Sequence, residues 1–186
     1  MSEPSLEQLE AIYWKILYLS LPSEGVNTRF PTEQSRKNRI DEVRWRGKPS
    51  CLKCGHSDPL WIGAREVFQC RSRDCRHQFS KLSGTVMHRS RIELRSWFGA
   101  SEMVIQHNFN PDHAYREATS HLKFEFALKH TALFRLKRLV REDIRRGGEG
   151  FLKSAVCVRL DDRPSVIKPY TLDHLNWLRS TLSRAD

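Results

Sequence analysis

The chain has 186 residues and a formal charge of +10, from 32 Lys and Arg against 22 Asp and Glu. That length suits one or two small domains, and that charge points to a polyanionic partner and away from an acidic small-molecule enzyme. A hydrophobic content of 39% fits several small helical units, while the supply of Trp, Phe and Leu excludes wholesale disorder. No run of about 18 apolar residues spans a membrane. The acidic start (Glu3, Glu7, Glu10) is unlike a signal peptide, so a cytoplasmic, nucleoid-associated chain is expected.

In chain order, Leu6, Leu9, Tyr13, Ile16 and Leu17 share one face of a helix predicted over 5–20, opened by a capping box of Ser5 and Gln8 and closed before Pro22. A linker over 22–29 leads to a second helix, capped by Thr32 and running to Arg44. A cysteine module over 45–84 follows, with strand-like pieces at 60–62 and 66–69. Leu94, Trp97, Phe98, Ser101, Val104 and Ile105 then trace a core helix over 93–106.

Asn110-Pro111 reads as the cap and first turn of a short helix reaching His121. A turn at 122–125 precedes a long helix over 126–146, with Ala132, Leu133, Leu136, Leu139, Val140 and Ile144 inward and Gly147-Gly148 as its stop. Two helices with a tight turn, the second basic, fit a helix-turn-helix. The tail shows a β-branched piece over 154–160, a loop with Pro164 and Pro169, and a helix from Thr171 with Leu172, Leu175, Leu178 and Leu182 on one face. The expected fold is mainly α with a small β zinc ribbon and a helix-turn-helix DNA-binding segment. Its segments are 1–28 (amphipathic helix and linker), 29–90 (ribbon with its preceding helix), 91–150 (helix-turn-helix region) and 151–186 (tail with terminal helix).

Four of the five cysteines cluster at Cys51, Cys54, Cys70 and Cys75. Two thiolates two residues apart, followed by Gly55, make a zinc knuckle, and the second pair, with four residues between, stays within zinc-ligand spacing. Four thiolates close a tetrahedron around one structural Zn2+ with no open position. His56 or His77 is the alternative ligand, and disulfide pairing is the alternative chemistry. Cys157 is left as a small buried hydrophobe.

Charge is concentrated there. Residues 29–95 sum to +9, against −3 for 1–28 and +2 for each of 96–150 and 151–186. Arg71, Arg73, Arg76, Lys81, Arg89 and Arg91 gather around the second knuckle as candidate phosphate contacts to double-stranded DNA, and Arg44, Arg46, Lys48 and Lys53 extend the patch. On the long basic helix, Lys129, His130 and Thr131 are placed to reach base edges, and Lys137, Arg138, Arg141 and Arg145 to face phosphates. Trp45, Trp61 and Phe79, interleaved with these cations, serve either as the ribbon's core or as stacking platforms for bases.

The string Asp41-Glu42-Val43-Arg44-Trp45, Gly47, Cys51-Leu52-Lys53-Cys54-Gly55, Phe68-Gln69-Cys70, Cys75-Arg76-His77-Gln78-Phe79-Ser80, Ser83-Gly84-Thr85-Val86-Met87-His88 and Ile92-Glu93-Leu94-Arg95-Ser96-Trp97 resembles the opening of bacterial insertion-sequence transposases that begin with a zinc ribbon. The resemblance covers about residues 30–105, and 106–146 more loosely. It implies a ribbon closed by the Gln-Phe-Ser stretch and a helix-turn-helix after it. The sequence departs from the pattern in two extra residues between Cys70 and Cys75, and in Phe126 and Ala127 where a small polar cap is expected. The family continues into an RNase H-like domain whose carboxylates hold two metal ions, and 36 residues after Gly150 are too few for it. Val158-Arg159-Leu160-Asp161-Asp162, though faintly similar to the strand carrying that domain's first acid, reads as a turn.

The expectation is therefore no enzyme, but a sequence-specific DNA-binding protein, a transposase-derived transcriptional regulator. The alternatives are an accessory DNA-binding protein of a mobile element and a zinc-ribbon adaptor for another protein. A protein partner or self-association would use the helices over 5–20 or 171–183.

Overall fold

A computed structural model describes residues 5–110, 129–148, 150–160 and 162–183. The chain divides into two compact units, Phe30–Arg95 and a helical unit made of Met1–Arg29 together with Ser96–Asp186. The segments before and after the ribbon thus form one body, because their helices bury their apolar faces on one another.

In the ribbon unit, helix α3 (Glu33–Trp45) starts at Thr32, whose hydroxyl accepts from the Ser35 amide while the Ser35 hydroxyl accepts from the Thr32 amide. Three short antiparallel strands follow in the order β1 (Leu60–Ile62), β2 (Val67–Gln69) and β3 (Gln78–Ser80). Their register sets Trp61 opposite Phe68 and Phe68 opposite Phe79, a cross-strand row with ring centroids 4.7 and 5.5 Å apart. Trp45 meets Phe68 edge-on at 5.3 Å, so the last residue of α3 closes the core. Sequence periodicity does not announce β3, yet Phe79 is buried between exposed Gln78 and half-buried Ser80, the alternation of a strand with one face inward.

The helical unit comprises α1 (Leu6–Leu19), the short α2 (Val26–Arg29), α4 (Leu94–Phe109) from Ser96 onward, α5 (His130–Ile144), α6 (Phe151–Val156) and α7 (Leu172–Leu182). The Ser5–Gln8 capping box is present. Ile16 of α1 packs with Leu175 and Leu178 of α7, flanked by Ile12, Leu19 and Trp177. Part of the apolar faces of the terminal helices is thus covered within the chain, while Leu6 and Leu172 remain exposed.

Polar ties fix the helix ends. The Tyr13 hydroxyl donates to the Ile144 carbonyl, and the Lys153 ammonium reaches the same hydroxyl at 3.3 Å. Burial, first among its causes, pushes the Tyr13 phenol far above its ordinary range. The buried Asp143 carboxylate accepts from the Leu152 amide at 2.8 Å, at the start of α6. Glu102 accepts from the Val26 amide with both oxygens at 3.2 Å, at the start of α2. Arg159 donates to the carbonyls of Leu19 and Leu21 at 3.2 and 3.1 Å, and Val158 and Arg159 lie in a turn; Asp161 of the expected turn lies outside the described residues.

Three expectations change. The β-branched piece at 154–160 is helical up to Val156, because Ala155, Val156 and Cys157 are buried and Asp143 caps the turn, which outweighs local propensity. The long helix begins at His130; its expected start at 126 lies outside the described residues. So do the short helix after Asn110 and the turn at 122–125, so the second element of the expected helix-turn-helix is described and the first is not. The third concerns Lys137, which is buried at 8% exposure. At 3.6 residues per turn it lies about 20° from Ile144, on the core side of α5, and it leaves the outward row of cations. The stop is as expected: Gly147 takes φ +80°, and a Cβ on Gly148 would lie 2.5 Å from the Asp143 carbonyl oxygen.

His174, buried on α7, accepts from the Tyr170 amide with Nδ1 at 3.1 Å, while its Nε2 is buried without a hydrogen bond. Burial, and then Arg163, lowers its pKa to about 4. The unfolded chain therefore takes up this proton first as the pH falls. Stability is complete above about pH 6.5 and declines toward pH 4. In melts between pH 7.5 and 4.5, His174→Asn, which keeps an acceptor for Tyr170, is expected to show a flatter pH dependence than the wild type.

Candidate metal centre and basic faces

Two knuckles bring the cysteines together. In the first, the Cys51 amide donates to the His56 carbonyl and the Gly55 amide to the Cys51 carbonyl, both at 2.9 Å, and the Lys53 amide points at the Cys51 sulfur at 3.4 Å. The second joins β2 to β3: the Cys70 amide donates to the His77 carbonyl at 2.9 Å, and the Cys75 and Arg76 amides turn back to the Ser72 carbonyl at 3.2 Å. The two extra residues between Cys70 and Cys75 widen this loop and leave its closing bond in place. In both knuckles the residue after the second cysteine is left-handed, Gly55 at φ +71° and Arg76 at φ +46°.

The four sulfurs lie within 4.8 Å of one another, with Cys51 to Cys75 at 3.7 Å and Cys54 to Cys70 at 3.5 Å. A tetrahedral zinc with bonds of about 2.3 Å requires sulfur separations of about 3.8 Å. The donor set fits one structural zinc ion. Among the described residues this is the sole metal-ligating cluster, and it contains neither His56 nor His77. His56 and His77 serve through their backbone carbonyls, and the His77 ring lies parallel to Phe79 at 5.8 Å.

Burial pushes the Cys70 thiol up to about 12. At Cys51 burial also opposes ionisation, but the amides of Cys54 and Lys53 outweigh it and bring the thiol down to about 7. A central divalent cation removes the cost of ionising four thiols at this separation. Cys51, Cys70, Trp45, Phe68 and Phe79 form one buried cluster, so the metal ligands are part of the core. Cys157, buried in the helical unit, directs its sulfur to the Leu17 carbonyl at 3.5 Å.

The basic candidates separate by environment. Arg71, Arg73 and Arg76 stand exposed on the wide second knuckle, and Arg89 and Arg91 are exposed beyond it. Arg71 is also 3.0 Å from Asp58. Lys81 instead pairs with Asp41 of α3, which offsets its charge within the ribbon. Arg44 donates to the Lys81 and Ser83 carbonyls and lies over the Trp45 ring, a structural role; burial lowers its pKa, and Asp41 partly offsets that. Trp45 and Phe79 are core residues, while Trp61 keeps 40% exposure with the Lys81 ammonium 5.2 Å from its ring centre.

On α5, Lys129 is the N-cap, and His130, Thr131, Arg138, Arg141 and Arg145 are exposed. Exposed Phe134 and Arg135 share that side and are absent from the sequence-derived set, although the helical repeat alone places them there.

Residues 31–78 match the transposase zinc-ribbon domain. That match ends within β3, two residues short of its last residue, and takes in all four cysteines. A protein described as an uncharacterized protein in transposable element ISH50, from Halobacterium salinarum, is 32% identical over 80 residues, which is 42% of this chain and 27% of that protein. The chain thus matches about a quarter of that relative's length. No solved structure matches.

Elemental analysis is expected to find one zinc per chain, and none in Cys51→Ser or Cys70→Ser. Loss of the ion should also abolish the near-ultraviolet signal of the packed Trp45, Phe68 and Phe79 rings, because ligands and rings share one core.

Proposed function

We propose that this chain is a sequence-specific DNA-binding protein that occupies its sites as a transcriptional regulator and does not cut them. The observation that carries this reading is the transposase zinc ribbon with Arg71, Arg73 and Arg76 exposed on one short loop. Guanidinium groups at this density suit the phosphate backbone, where each contact releases counterions. The exposed arginines of α5 supply a second basic face, and a helix of 15 residues is long enough to lie in a major groove. Four thiolates fill the zinc's coordination sphere, so this metal holds the fold and has no position for an attacking water.

An accessory role in a mobile element draws support from the relative described within a transposable element. Such a protein would bind terminal repeats for a catalytic subunit encoded separately. Flanking inverted repeats and an adjacent catalytic reading frame would favour it over regulation. A zinc-ribbon adaptor for another protein is less favoured, because the exposed Arg71, Arg73 and Arg76 of the ribbon suit a polyanion.

Anisotropy titrations against duplex DNA over a salt series test the reading. Affinity is expected to fall steeply with salt, and Arg73→Ala to reduce the logarithmic slope by about one. Salt-insensitive or absent binding would overturn the proposal. Arg76→Gly separates anchoring from folding: relief of left-handed strain offsets the larger unfolded-state entropy of glycine, so stability is expected to stay within about 1 kcal/mol of wild type. Its DNA affinity, by contrast, should drop with the slope.

A further inference from the structure

The core side of α5 is Leu133, Leu136, Val140 and Ile144, each no more than 1% exposed. Beside it, His130, Phe134, Arg138, Arg141 and Arg145 fall within about 80° of arc at 3.6 residues per turn, centred about 115° from the core side, and all five are exposed. Phe134, at 55% exposure, is the sole large apolar side chain exposed on this helix. A solitary exposed ring is ordinary on a protein surface. What sets this one apart is its setting: His130, one turn earlier, holds its ring 4.6 Å away and edge-on, and Arg138, which is 3.9 Å from Glu142, follows one turn later. The ring pair presents an apolar spot beside Arg138, Arg141 and Arg145.

A matching surface must be anionic over most of its area and apolar at a defined point. The major groove of double-stranded DNA has that pattern, because phosphates line its walls and the thymine C5 methyl is the apolar group that base pairs present on its floor. We propose that Phe134 is a specificity-determining residue that packs on thymine methyl groups in the major groove. This inference rests on the DNA-binding reading above and adds a chemical preference to it. Arg138, Arg141 and Arg145 hold the helix to the phosphates. Phe134 favours T over C, which lacks the methyl.

The test uses the full chain and a duplex selected by the wild type from a random library. Each thymine of that duplex is replaced in turn by uracil, which keeps the pairing and removes only the methyl. Wild type is expected to lose about four-fold in affinity at one or two positions, the equivalent of about 0.8 kcal/mol for one buried methyl. Phe134→Ala should bind the thymine and uracil duplexes equally while melting at the wild-type temperature. Indifference of the wild type to uracil at every position overturns the inference and leaves DNA binding standing. So does a thymine preference retained in Phe134→Ala, or a melting temperature lowered by more than about 5 °C, which would make the ring a structural one. Failure of the wild type to select any duplex overturns both readings.

Discussion

The ribbon depends on the convergence of four sulfurs on one point. Cys51, Cys70, Trp45, Phe68 and Phe79 form its buried cluster, and three-residue strands contribute few ladder hydrogen bonds. A sheet of this size does not offset its own ordering entropy. Metal–thiolate bonding supplies the difference, and because the ligands are also core residues, coordination and packing form together. Everything on the outside of the second knuckle follows from this, since Arg71, Arg73 and Arg76 are held in one short loop by Cys70 and Cys75 at its ends.

The helical unit solves a different problem. Its helices have apolar faces in plenty, and what must be arranged is their ends. Tyr13 on the Ile144 carbonyl, Asp143 on the Leu152 amide, Glu102 on the Val26 amide and Arg159 on two carbonyls of the chain after α1 are long-range or loop-closing bonds to backbone groups left over at helix termini. The first two of these contacts hold the end of α5, whose Leu133 and Leu136 face inward while Arg138, Arg141 and Arg145 are exposed. Lys137 shows how sharply the helical repeat divides the two sides: one residue away from Arg138 along the chain, it is buried.

Much of this was legible in the residues. Capping boxes at Ser5 and the cap at Thr32 are local patterns of side chain and amide, so their positions carry over from sequence to structure. The metal site was legible because knuckle spacing is a chelate constraint within a few residues, and only the joining of the two knuckles required the fold. Strand β3 leaves no mark in the sequence because three residues are too few for alternation to register, and α6 looks like a β-branched piece there because its helical state depends on Asp143 and burial.

The sequence by itself determined the zinc chemistry, the helix caps at Ser5, Thr32 and Thr171, the concentration of charge over residues 29–95 and the transposase-ribbon relation, because each is carried by spacing or composition along the chain. Tertiary structure decided which of the cations remain outward. It turned Lys81 to Asp41, placed Arg44 on backbone carbonyls and buried Lys137, while leaving Arg73, Arg76, Arg138 and Arg141 exposed. The reason is physical: a charge has the same place in the sequence whether it faces water or a carboxylate, and only the packing of neighbouring elements determines which of the two it meets.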